Sequence, residues 1–206
     1  MARDKNDTHQ KLIQCARREF LQRGYEKASL KSIAGSAGIT AAGIYRHFSD
    51  KEDLFRSLVE PVTGEFLAGC EGSMEETYEG LGDADFVENF NEFRREKNRE
   101  FVDFMYDHLD VFQLLLMCSE GTPYENFEQK LVALEEQSVR DLFRHLDSRG
   151  IPHNQVTDVE LHILCSILIA SVCDVIRRGY NREQAQNHLE FLGRMLYPGM
   201  KQVLGV

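Results

Sequence analysis

The stretch LKSIAGSAGITAAGIYRHFSDKEDLF, residues 30–55, decides the fold. A helix-turn-helix needs two short helices that cross steeply over a turn of three or four residues. The crossing requires a small residue inside the first helix, a glycine in the turn and an aliphatic residue inside the second. Ala34, Gly38 and Ile44 meet these needs, with Ile33 and Ile39 filling the wedge. Ser29 can N-cap a helix over Leu30–Ala37 that stops at Gly38, and Thr40 can cap a third helix running through Phe48. Ser49-Asp50-Lys51-Glu52 reads as a capping box, so a fourth helix starts at about Asp50 and passes Pro61 at a kink. Upstream, Ile13, Ala16 and Phe20 recur at helical spacing, and Gly24 is expected to end that helix as a left-handed cap. An ordinary αα-hairpin would show the same turn, so the surroundings must decide between the two.

The charge distribution favours the helix-turn-helix. The 206-residue chain has a formal net charge of −10. Residues 1–60 nevertheless hold 11 Lys/Arg against 8 Asp/Glu, a net of +3, and the remainder carries 13 against 26, a net of −13. A basic head on an acidic body points to a nucleic-acid-binding end. The length fits one large domain or two small ones and is enough to bury a core.

Tyr45-Arg46-His47-Phe48, followed by Lys51-Glu52-Asp53-Leu54, carries a family resemblance. With Phe20, Gly24, Ile33-Ala34 and Ala37-Gly38, this segment resembles the N-terminal DNA-binding domain of the TetR family of transcriptional regulators. The resemblance spans about residues 9–56. Many members carry glycine three residues before the tyrosine. Here that place is Ala42, and Gly43 follows. The resemblance implies an all-α protein: an N-terminal three-helix, homeodomain-like head (residues 1–50), then a larger helical ligand-binding and dimerisation body (residues 51–206). It implies that the third helix lies in the major groove of an operator, with Thr40, Ala41, Ala42 and Gly43 in its first turn. Thr40 can donate or accept, and alanine can meet a thymine methyl. Lys31 and Arg46 are long donors that could read guanine or clamp phosphate. Tyr45 and His47 resemble the family's phosphate-contacting pair, Lys51 is expected on another phosphate, and Ser29 can add its hydroxyl.

The body reads as helical almost throughout, with segments at 84–107, 111–117, 124–146, 156–176 and 182–204. The resemblance implies that it holds an effector pocket and a dimer interface. Residues 86–127 contain 9 of the 20 aromatic residues. Phe66, Phe86, Phe90, Phe93, Phe101, Met105, Met117 and Phe127 are candidate pocket residues, with Glu120 a possible partner for a cationic ligand. Plain core packing would use the same residues. Val156 to Ile176 is apolar nearly all round, so its extra face is expected to be buried in a homodimer through residues 156–204 or within one chain.

Cys15, Cys70, Cys118, Cys165 and Cys173 contain no CxxC pair and read as buried reduced thiols. The longest run free of charge and histidine in the C-terminal third, Ile163 to Cys173, is 11 residues, against ~20 for a bilayer span. The expectation is a cytoplasmic protein with no membrane association. No HExxH, GxGxxG, GxSxG or Glu-x-x-His motif occurs, so neither catalytic residues nor a metal site or cofactor are expected. The chain reads as a repressor on an inverted-repeat DNA operator, released by a small apolar or amphipathic inducer. A regulator controlled by a protein partner, and a ligand-binding helical protein with a vestigial helix-turn-helix, are the alternatives.

Overall fold

The computed structural model describes residues 2–80 and 86–205, with side chains described for 7–70 and 95–205. The described residues form helices only: α1 (Ala2–Lys27), α2 (Leu30–Ala37), α3 (Ala41–Ile44), α4 (Lys51–Gly80), α5 (Phe86–Asp107), α6 (Leu109–Met117), α7 (Phe127–Arg149), α8 (Asp158–Arg177) and α9 (Arg182–Leu204). They divide into two compact units, one of residues 1–65 with 108–127 and the other of 66–107 with 128–206. The boundary expected after residue 50 therefore falls elsewhere. The first half of α4, together with α6, clusters with the head.

The first unit is built around Leu12, Ala16 and Phe20 of α1, Ile33 and Ala34 of α2, Ile44 of α3 and Leu54 and Phe55 of α4, all buried. Phe20 and Phe55 meet edge to face at 5.2 Å, and Tyr25 meets Phe55 at 5.4 Å. Local turn chemistry follows the sequence. Gly24 (φ 73, ψ 165) interrupts α1, and Gly38 (φ 78, ψ 24) ends α2 in the left-handed region that glycine adopts without a Cβ penalty. Thr40 Oγ1 accepts from the Gly43 amide at 3.1 Å. The regular helix of α3 stops at Ile44, short of the expected Phe48. The amides of His47 and Phe48 still reach the Ile44 carbonyl, at 2.9 and 3.1 Å, so the chain continues as turns.

Two caps differ from expectation. Ser29 occupies the N-cap of α2, but its hydroxyl makes no capping bond. Glu19, buried on α1, does the work: its carboxylate accepts from the Ser29 amide (3.4 Å) and the Ser32 hydroxyl (3.0 Å). A carboxylate at a helix N-terminus also meets the favourable end of the dipole. Glu19→Ala removes the acceptor from both donors, and loss of a helix N-cap acceptor costs about 0.5–2 kcal/mol. The expected result is a drop of several degrees in melting temperature, read by circular dichroism. The second displaced cap is at α4. Asp50 Oδ1 accepts from the Asp53 amide (2.7 Å), and Asp53 Oδ2 from the Ser49 amide (2.9 Å), so the box sits one residue later than Ser49–Glu52. The Ser49 amide, followed by the Arg56 guanidinium, holds the Asp53 carboxyl below the usual carboxylate range.

In the second unit, α5 and α9 are joined by Asn98–Tyr197, Arg99–Glu190 (3.1 Å), Gln186–Asp103 (2.8 Å) and the pairing of Arg182 with Asp103 and Asp107. Val132 and Val139 of α7, Leu161 and Cys165 of α8 and Leu204 of α9 form a buried cluster. Asn154 caps α9 from the loop before α8, its amide bonding the Leu204 carbonyl at 2.9 Å. Capping boxes at Thr157/Glu160 and Asn181/Gln184 open α8 and α9. None of the five cysteines is in a disulfide, and four are buried. Cys70 is partly exposed, against expectation. Burial pushes the Cys173 thiol up to about 12.

Candidate nucleic-acid interface

Helices α2 and α3 place the predicted contact residues on exposed backbone. Ser29, Lys31, Thr40, Ala41, Ala42, Tyr45 and Arg46 are exposed, while Gly43 and His47 are half-buried. Tyr45 shows 59% of its surface although tyrosine is normally partly packed, so its ring and hydroxyl are free to meet a partner. Ile44 and Phe48, one before and three after Tyr45, face the core and set this orientation.

Gly43 has a steric reason for its position. A Cβ there would lie 3.3 Å from Thr40 Oγ1 and 3.5 Å from Ile39 Cδ1. Glycine thus lets the Thr40 hydroxyl close on the Gly43 amide.

His9 was not singled out in the sequence, yet it packs into this region. Its ring stacks on Phe48 at 5.2 Å and stands 5.7 Å from His47. Residue spacing carries no signal for this, because residues 9 and 47 meet only through packing of α1 on the turn after α3.

Lys51, expected on a phosphate, stands half-buried at the start of α4. Its ammonium donates to the carbonyls of Tyr25 (2.8 Å), Glu26 (3.1 Å) and Ala28 (3.4 Å).

Comparison with known proteins rests on this same segment. Residues 12–58 match the family model described as bacterial regulatory proteins, tetR family. Through this head the chain is similar to that family. It is 40% identical over 53 residues to the HTH-type transcriptional repressor BepR of Brucella suis, covering 26% of this chain and 25% of BepR. It is 44% identical over 54 residues to the HTH-type transcriptional regulator AcrR of Shigella flexneri, again 26% and 25%. The matched segment thus spans about a quarter of the length of these curated relatives. The whole chain shares its fold with a TetR-family transcriptional regulator from Bordetella parapertussis, at TM-score 0.63 and 14% identity over 90% of this chain and 93% of that one.

Outside this head, the described residues among those expected to line a pocket divide between the two units. Phe66, Phe101 and Met105 lie in the second unit. Phe66 is buried, 5.6 Å from the rings of both Phe101 and Phe104, and Met105 is buried too. Met117, Glu120 and Phe127 lie in the first unit. Met117 is 55% exposed and Glu120 is exposed, because both follow the buried face of α6 rather than share it. Phe127 is core, 6.2 Å from the Phe112 ring. The side chains of Phe86, Phe90 and Phe93 lie outside the described residues. One group in the second unit went unnoticed in the sequence. His188 on α9 has a buried Nε2 with no hydrogen-bond partner, beside the Tyr180 ring at 6.4 Å.

The C-terminal helices expose apolar surface. Val159, Ile163 and Ile167 of α8, spaced by four, are 69%, 51% and 46% exposed, and Phe191 and Met195 of α9 are 52% and 53% exposed. At 20 residues and a mean hydropathy of 2.1, α8 is long and apolar enough by length and composition to cross a bilayer, with a third of it buried. The 11-residue run understates this helix, because Glu160, His162 and Asp174 lie near its ends.

Proposed function

We propose that this chain is a cytoplasmic transcriptional repressor, bound as a homodimer to an inverted-repeat operator and released by a small apolar or amphipathic effector. Exposed Thr40, Ala41, Ala42, Tyr45 and Arg46, on a helix-turn-helix packed over Ile33, Ala34 and Ile44, carry the reading. Short Thr40, Ala41 and Ala42 admit the major-groove floor, where a hydroxyl bonds base edges and a methyl meets thymine. Lys31 and Arg46 reach guanine or phosphate. Tyr45, His47 and Ser29 meet phosphates and fix the register without reading sequence. A relative over the head, BepR, is named a repressor.

The exposed stripes on α8 and α9 support the dimer. Two copies of the pair form a four-helix bundle about a two-fold axis, covering surface that a monomer leaves wet. Two-fold symmetry then matches half-sites of opposite orientation on one DNA face.

The effector half of the reading is supported by Phe66, Phe101 and Met105 with the unpaired His188 Nε2 in the second unit. Aromatic and methionine side chains suit an apolar body, and an orphaned imidazole nitrogen suits one polar group on it. Helix α4 supplies Lys51–Glu65 to the first unit and Phe66–Gly80 to the second, so it is one of three covalent routes between them, with the crossings at 107–108 and 127–128.

Effector and DNA affinities must be linked reciprocally. An apolar dye, anilinonaphthalene sulfonate, is titrated into the protein with and without the DNA upstream of its own gene. Its affinity is expected to be about 5–150-fold weaker on the DNA complex, the usual span of such coupling. Equal affinity in both states would remove the sensor from the proposal.

A further inference from the structure

His9 of α1 is half-buried against the turn after α3. Its ring stacks on Phe48 with centroids 5.2 Å apart and stands 5.7 Å from the His47 ring. Phe48 is core, so the stack fixes where the imidazole sits. The polar atoms of the ring take no part in that packing. Among the described residues His9 has no hydrogen-bond or ion-pair partner, and neither of its ring nitrogens is buried. Both therefore open to water, on the face where Tyr45 and Arg46 are exposed next to His47. The turn after α3 brings His47 and Phe48 against His9 and no carboxylate. On α1 itself, exposed Asp7 and Lys11 lie two residues to either side, and side chains two apart on a helix do not face each other.

We propose that His9 is a further DNA-backbone contact, its imidazole and that of His47 taking one phosphate between them. Each ring can turn an N–H toward an anionic oxygen, and such charge-assisted bonds are the strong ones. Two imidazolium rings this close repel, and a phosphate lying against both offsets the repulsion. Binding is then linked to proton uptake, so affinity rises as pH falls through the range in which imidazoles gain charge. The inference rests on the DNA-binding reading above and adds a contact from α1, outside the helix-turn-helix.

Wild type, His9→Phe and His9→Gln are titrated with a short labelled random-sequence duplex at about pH 6 and about pH 8, over a series of salt concentrations. Phenylalanine keeps the stack on Phe48 without the nitrogens, and glutamine keeps a polar group without the charge. Wild type should bind more tightly at the lower pH. Both variants should lose roughly tenfold or more there, the contribution of a hydrogen bond to a charged group. Their slope of log affinity against log salt should also be shallower by about 0.9 for each head in contact. At the higher pH the three proteins should converge. If His9→Phe matches wild type in affinity and slope at both pH values, His9 serves packing alone and the contact is overturned. A loss in both variants that is equal at the two pH values, with an unchanged slope, overturns it as well. A wild type without salt-dependent binding would defeat the DNA-binding reading itself, and this contact with it.

Discussion

Raising salt from about 50 to about 200 mM should lower the affinity of this protein for DNA by roughly 10–150-fold, the range for two to four phosphates neutralised by cations. In the proposed dimer, two heads, each carrying Lys31 and Arg46, supply cations of about that number. The chain as a whole is acidic, with a net charge of −10. A steep salt dependence would therefore report the local +3 of residues 1–60 and not the global charge. Fluorescence anisotropy on a labelled duplex measures it, and an affinity unchanged across the series would mean that the head does not bind DNA. On the same assay, Lys31→Ala and Arg46→Ala divide the two roles left open. Loss of a base contact costs about 1–3 kcal/mol and relaxes preference at one position, whereas loss of a phosphate contact weakens all sequences alike.

Ile167→Glu should convert the protein to monomers. Ile167 is 46% exposed, so the charge can stay in water while the chain is alone and the fold is kept. A two-fold interface would bury two such carboxylates without partners, and the effective penalty is several kcal/mol for each ion. A loss of dimer affinity beyond about a thousandfold follows, since ~1.4 kcal/mol is tenfold. Sedimentation equilibrium reads the mass, and circular dichroism checks that helix content is retained. A wild type of about 23.7 kDa at micromolar concentration would remove the dimer, and a dimeric Ile167→Glu would place the interface elsewhere. On the proposed two-fold binding, which uses both heads, the monomer should also lose most of its affinity for an inverted repeat.

The residues that announce the helix-turn-helix act over short distances, so they are legible. Gly38 ends α2 through its own φ of 78°, and Thr40 caps α3 through an amide three residues away. The end of α2 and the starts of α8 and α9 follow from local caps and from apolar spacing, which depend on neighbours in sequence. The roles of the aromatic residues were less legible. An aromatic count over 86–127 cannot separate Phe101, which meets Phe66, from Phe127, which packs on Phe112. Burial of an aromatic ring stabilises core and cavity wall alike.

The sequence by itself determined an all-helical chain with a basic helix-turn-helix head, because hydrophobic period, capping residues and glycine conformations are properties of adjacent residues. Tertiary structure alone decided where the long polar side chains go. Glu19 caps a helix that Ser29 was expected to cap, ten residues on. Lys51 spends its protons on carbonyls 23 to 26 residues away instead of facing solvent. His9 finds His47 and Phe48 across 38 and 39 positions. A flexible charged side chain has many rotamers and several possible partners, and only the packed backbone fixes which of them lies within hydrogen-bond reach.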